Sequence, residues 1–135
     1  MKSDVRTISG IFPSSSGTLG VLDTPDLPFT PSRLYWIHSV PKNEIRGNHA
    51  HKKLNQFFLA LKGEVSIEIS SNHEKEVVSL NSPNKLLVLN SGYWRKLFNF
   101  SPDAVILVGA DAQYDSYDYI HNWGEYLMWR EENSE

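Results

Sequence analysis

Residues 64–70, EVSIEIS, alternate between apolar and polar side chains: Val65, Ile67 and Ile69 fall on one side, Ser66 and Glu68 on the other. A period of two marks a strand with one buried face. The same reasoning predicts a strand at 32–40, SRLYWIHSV, rich in aromatic and β-branched residues. There Arg33, Tyr35 and Ile37 share one face, and Leu34, Trp36 and His38 the other. The apolar runs in NQFFLALKG (55–63) and NKLLVLN (84–90) read as buried strands, the first with a second possibility of facing a partner subunit. GTLGVLD (17–23), EVVSL (76–80), YWRKLFNF (93–100) and DAVILVGAD (103–111) supply further strands, with SNHEK as a hairpin tip. Pro, Gly, Ser and Asn recur about every 8–12 residues, the rhythm of an all-β sandwich or barrel. Only the tail, YDSYDYIHNWGEYLMWREE (114–132), reads as helical: Tyr119, Trp123 and Tyr126 fall at i, i+4 and i+7, and Asp118 is placed to start the helix. The expectation is a single mostly-β domain over 1–135 with a short C-terminal helix.

Composition narrows the function more than the fold. The 135 residues are 40% hydrophobic and 21% charged, ordinary for a soluble globular chain. Aromatic residues reach 12%, with four Trp and six Tyr, a bias that suits flat ligands or a protein interface as well as a core. The net charge is −3 with no basic stripe, which gives nucleic-acid binding little electrostatic support. The absence of Cys excludes disulfides, thiolate metal sites and cysteine nucleophiles. The start MKSDVRTISG has no apolar leader, and no run approaches the roughly 18 apolar residues of a membrane span. A cytoplasmic protein is expected.

The chemistry concentrates in RGNHAHKKLNQ (46–56). On a regular strand His49 and His51 project from one face with Gly47, while Arg46, Asn48 and Ala50 face away. Two imidazoles converging on one cavity suit proton transfer or metal binding. The wider spacing, His49-x-His51-x4-Gln56-x6-Gly63 and then Gly92-x2-Arg95-x3-Asn99, resembles the two motifs of the cupins, double-sheet jelly rolls with an internal metal site. Gln56 stands at the carboxylate position of that site and Arg95 at its third histidine. A guanidinium donates only and cannot ligate a metal. Two histidines and an amide make a poor site for Zn or Fe(II), so a cupin-shaped pocket without metal or other cofactor is expected.

A closer resemblance runs from about residue 5 to 130. RLYWI (33–37), RGNHAHKKLNQ, LKGEVSI (61–67), YWRKLFNFSPDAVILVGADAQYD (93–115) and SYDYIHNW (116–123) together look like the sugar-nucleotide 3,4-ketoisomerases. The resemblance implies a cupin-like jelly roll, usually a homodimer with strand exchange, working without metal on dTDP-4-keto-6-deoxyglucose in deoxysugar and surface-polysaccharide synthesis. The carbonyl moves from C4 to C3 through an enediol(ate), which needs a base at C3, a proton donor at C4 and donors for the developing oxyanion. By resemblance, His51 is the base, His49 orients the sugar or relays the proton, and Tyr35 is an acid or hydroxyl donor. Arg46 and Arg33 hold the diphosphate or sugar, and Gln56 and Arg95 join them as substrate-binding residues. The YDSYDY segment (114–119) covers the thymine and ribose.

One departure stands out: many members carry His after the Trp of the second motif, where this chain has Trp94-Arg95. Arg95 cannot relay protons but can bind phosphate or stabilise an enediolate. Two other classes therefore compete with the isomerase: a non-catalytic sugar-nucleotide-binding cupin that has lost a relay, and a metal-dependent cupin such as an oxygenase. Arg95 and Gln56 weigh against the last. Asn48 and Trp36 read as pocket-shape or packing variation. Elsewhere, His38 is expected to pack against a neighbouring sheet or subunit, His73 to be solvated, and His121 to lie at a surface or interface. Glu44 and Asp111 have no evident carboxylate partner, and Asp115 and Asp118 read as cap or surface residues.

Overall fold

The computed structural model describes residues 3–23 and 25–133. Its strands are β1 (Asp4–Thr7), β2 (Gly10–Ser14), β3 (Gly17–Val21), β4 (Arg33–His38), β5 (Arg46–His51) and β6 (Gln56–Lys62). They continue as β7 (Val65–Ser70), β8 (Lys75–Leu80), β9 (Lys85–Leu89), β10 (Trp94–Phe98), β11 (Val105–Ala110) and β12 (Tyr119–Ile120), followed by helix α1 (Trp123–Asn133). Two five-stranded antiparallel sheets, ordered β1-β9-β6-β11-β4 and β12-β5-β10-β7-β8, face each other, and β2 and β3 pair as a separate hairpin.

The alternating strands point as the sequence predicts. Val65, Ile67 and Ile69 are buried between the sheets with Phe58, Leu87, Leu97, Ile106 and Val108. In β4, Tyr35 and Ile37 pack against that core, while Leu34, Trp36 and His38 are exposed. His38 does not pack against a neighbouring sheet of this chain: β4 is an edge strand, and among the described residues His38 Nδ1 lies 2.9 Å from the adjacent Ser39 Oγ. His73 is exposed at the hairpin tip, as expected.

The tail departs from its predicted helix. Ser116–Asp118 form a 3₁₀ turn capped by Asp115, whose side chain accepts from Tyr117 N, and Tyr119–Ile120 then pair with His51 and Ala50 of β5. The α-helix starts later, where Asn122 Oδ1 accepts from Glu125 N at 3.0 Å as an N-cap. Edge pairing outweighs the local helical spacing because the strand bond buries Ile120 beside Ala50, Trp94 and Tyr126. Tyr126 is fully buried and donates to Gly92 O at 2.8 Å, clamping α1 across the outer face of β5 and β10. Burying such a side chain contributes about 1.5–3 kcal/mol. The helix thus leaves the inner face of β5 and β10 free to carry a site.

Candidate active site

The facing inner surfaces of β4, β5, β6 and β10 enclose a cavity of about 270 Å³. Arg33, Tyr35, Arg46, His49, Gln56, Arg95 and Tyr119 contribute its polar wall, and Ile37, Phe58 and Leu97 its apolar floor. The residues singled out in the sequence are thereby brought to one place. His51 joins them from the side: its ring centroid lies 4.9 Å from that of His49 and 4.3 Å from that of Tyr119, and it is only 1% exposed.

Arg46 reaches the cavity because β5 is not regular. Its register against β10 runs Ala50 to Trp94, His49 to Arg95, then Gly47 to Lys96 and Arg46 to Leu97, so Asn48 is an extra residue in a β-bulge. The bulge puts Arg46 on the same side as His49, correcting the expectation that it faces away. Gly47 and Asn48 both adopt positive φ, 79° and 60°. Gly suits the first, since a Cβ there would sit 3.3 Å from both Arg95 O and a Leu97 methyl. Asn is among the few other residues that tolerate that region, and Asn48 Oδ1 also accepts from Trp94 Nε1 at 3.2 Å. The "RGN" sequence is a bulge signal as much as an arginine signal.

Asp118 is the residue that sequence reasoning misplaced. Its side chain is only 11% exposed, and its Oδ2 lies 3.0 Å from His51 Nδ1. The carboxylate also accepts from the backbone N–H groups of Lys53, at 2.7 Å, and Leu54, at 3.3 Å. With Nδ1–H donated to Asp118, His51 keeps Nε2 as its unprotonated nitrogen. Asp111 likewise has a structural task, accepting from Asn55 N and Asn55 Nδ2 at 3.0 and 2.8 Å. His121 is exposed and stacks on Tyr119, centroids 5.3 Å apart.

Arg95 is buried to 1% exposure at the cavity wall. It donates to Gln56 Oε1 and, through Nε and Nη2, to the carbonyl of Tyr93 at 3.4 and 3.2 Å. Those hydrogen-bond partners are all neutral. Burial lowers its pKa to about 10, which leaves it a cation at neutral pH. A buried cation bonded only to neutral acceptors is costly and favours an anionic guest. Gln56 in turn donates from Nε2 to Tyr35 Oη at 3.0 Å.

The same burial, followed by the Arg95 charge, holds both histidines neutral. His49 is lowered to about 3 and His51 to about 4, although Asp118 pulls the latter upward. The donor set does not suit a metal: no group of three or more His, Asp or Glu side chains able to hold one occurs among the described residues. What the site offers is two neutral imidazoles, one oriented by a carboxylate, the phenols of Tyr35 and Tyr119, and guanidinium groups from three strands.

Two antiparallel sheets around a polar, histidine-bearing cavity define a cupin-like jelly roll. The chain belongs to the family described as FdtA: WxcM-like, C-terminal, whose model matches residues 1–131. Over 126 residues it is 29% identical to a TDP-4-oxo-6-deoxy-alpha-D-glucose-3,4-oxoisomerase of Aneurinibacillus thermoaerophilus, spanning 93% of this chain and 91% of that protein. Its structure resembles QdtA, a sugar 3,4-ketoisomerase of Thermoanaerobacterium thermosaccharolyticum solved with TDP. The TM-score is 0.93 at 31% identity, covering 98% and 97% of the two chains. WlaRA, a TDP-fucose-3,4-ketoisomerase of Campylobacter jejuni, superposes with a TM-score of 0.89 at 27% identity, covering 96% of each chain.

Proposed function

We propose that the chain is a 3,4-ketoisomerase that moves the carbonyl of a dTDP-4-keto-6-deoxyhexose from C4 to C3 without a metal. The observation that carries this reading is the neutral, carboxylate-oriented His51 beside a cavity whose wall holds the buried cation Arg95. In this mechanism His51 Nε2 removes the C3 proton, with Asp118 stabilising the imidazolium that forms. His49, whose ring meets that of His51 edge-on at the cavity wall, orients the sugar or passes the proton onward. Negative charge collects on the sugar oxygens of the enediolate, where Arg95 offers a fixed positive charge in a desolvated site. Transfer of the O3 proton to O4 and delivery of a proton to C4 complete the shift, with no net gain or loss of protons.

Arg33 and Arg46 suit the diphosphate. Arg33 also lies over the ring of Tyr35 at 4.9 Å and of Tyr114 at 5.8 Å, which makes Tyr114 a platform for the thymine end. A binding protein without catalysis has no use for a carboxylate-oriented neutral imidazole, and this weighs against the non-catalytic alternative. A homodimer is favoured by uncovered apolar side chains on the edge strand β4, where Trp36 is 62% exposed and Leu34 is exposed as well, and on the β2–β3 hairpin, where Phe12 and Leu19 are exposed. Deoxysugar supply to a surface polysaccharide, in the cytoplasm, is the setting that such a reaction fits.

Incubation with dTDP-4-keto-6-deoxyglucose in heavy water tests the activity. The expected result is a 3-keto product carrying deuterium; neither product nor exchange would count against the reading. His51→Asn is expected to abolish exchange while dTDP still binds, and retained turnover would remove His51 as the base.

A further inference from the structure

The orientation of the Gln56 amide is dictated by its neighbour. Arg95 has only donors, so the Gln56 atom bonded to it must be the carbonyl oxygen. The NH₂ end therefore points to Tyr35 Oη, 3.0 Å away, and the phenol oxygen must accept. Gln56 is 3% exposed, and the flipped amide would set its NH₂ against the Arg95 guanidinium, donor against donor. A phenol whose oxygen already accepts from the protein keeps its own O–H for another partner, and Tyr35 lines the cavity.

We infer that Gln56 is a positioning residue that, clamped by Arg95, compels Tyr35 to present its O–H to a sugar oxygen in the cavity. The inference rests on the ketoisomerase reading. It gives a physical reason for an amide rather than a carboxylate between an arginine and a tyrosine. A carboxylate there would accept from both neighbours, draw the Tyr35 proton toward itself and leave the cavity facing a phenol oxygen without its donor. Gln56 then acts through Tyr35 rather than by touching substrate.

Two variants separate this role from simple packing. Gln56→Glu keeps the size and the bond to Arg95 but reverses the Tyr35 bond; Gln56→Met keeps the size and removes both bonds, leaving the phenol proton free. The expected order of kcat is parent, then Gln56→Met about 10-fold lower, then Gln56→Glu about 100-fold lower, with KM changed less than 3-fold. A purely structural role predicts the opposite order, since the carboxylate preserves more of the packing and pairs with the guanidinium.

The same pair made in a Tyr35→Phe background should differ by less than 2-fold. A persistent deficit of Gln56→Glu there would mean that it acts through the Arg95 charge, and would overturn the inference. Calorimetric binding of dTDP confirms that each variant is folded. Isotope-edited infrared difference spectra, taken between chains with and without the Tyr35 hydroxyl, read the phenol directly and need no turnover. They should show an accepting phenol in the parent and a donating one in Gln56→Glu. A donating phenol in the parent would sink the inference even if the enzyme isomerises. An accepting phenol in an inactive parent would leave the hydrogen-bond relay standing while the ketoisomerase reading fell.

Discussion

His51 Nδ1 and Asp118 Oδ2 lie 3.0 Å apart although the two residues are separated by 67 positions in the chain. The pairing of β12 with β5 sets that distance, because it lays Tyr119 directly opposite His51. Asp118→Asn is nearly isosteric but can present its NH₂ to Nδ1, favouring the tautomer with the proton on Nε2. Loss of about 100-fold in kcat is expected, with dTDP affinity within about 2-fold of the parent. Steady-state turnover and calorimetric titration check it; an unaltered kcat would show that the tautomer does not matter.

Arg95 sets stability against function. Arg95→Met removes a buried charge that is bonded only to neutral acceptors, and should leave the unfolding free energy unchanged or raise it by about 1 kcal/mol. Turnover should fall by about 10²–10³ because the fixed positive charge facing the enediolate is gone. Denaturant melts alongside kinetics test both halves. A strongly destabilised variant would mean that Arg95 holds the fold together rather than the site.

The pH dependence of stability follows from the two neutral histidines. Their folded pKa values, about 3 for His49 and about 4 for His51, lie below the unfolded value near 6.5. Between these limits the unfolded chain binds more protons. Their contribution is therefore complete above pH about 6.5 and is lost as pH falls through about 4 and then about 3. Melting temperature should decline on acidification in that window, and less steeply in His49→Gln. An equal slope in parent and variant would exclude His49 as a source. Because the base is already neutral, turnover should hold nearly level from pH 7 down to about 5.

The bulge at Asn48 makes a geometric prediction. Asn48→Gly keeps access to positive φ but loses the bond to Trp94 Nε1, and should cost under about 1 kcal/mol. Asn48→Val places a β-branched residue where φ is 60° and should cost about 1–3 kcal/mol. If the strand relaxes to regular register instead, Arg46 leaves the cavity and dTDP affinity drops. Thermal melts with dTDP titration distinguish strain from relaxation; a Val variant matching the Gly variant in both would refute the account.

What the sequence alone determined is what short-range chemistry controls. The alternation in EVSIEIS and SRLYWIHSV assigns their faces, because a strand's side chains switch sides at every residue wherever the backbone stays regular. Gln56 and Arg95 argue against a metal from donor chemistry alone. The tertiary structure decided the rest. Arg46 turns inward because a single extra residue shifts the register, something periodicity cannot count. Tyr119 and Ile120 form an edge strand because pairing with β5 buries Ile120, against a local spacing that suits a helix equally well. Asp118 reads as a cap from its neighbours in sequence and becomes the partner of His51 only when that strand docks. The direction of the Gln56 amide is legible only once Arg95 and Tyr35 stand at its two ends, since hydrogen-bond polarity belongs to the neighbours in space.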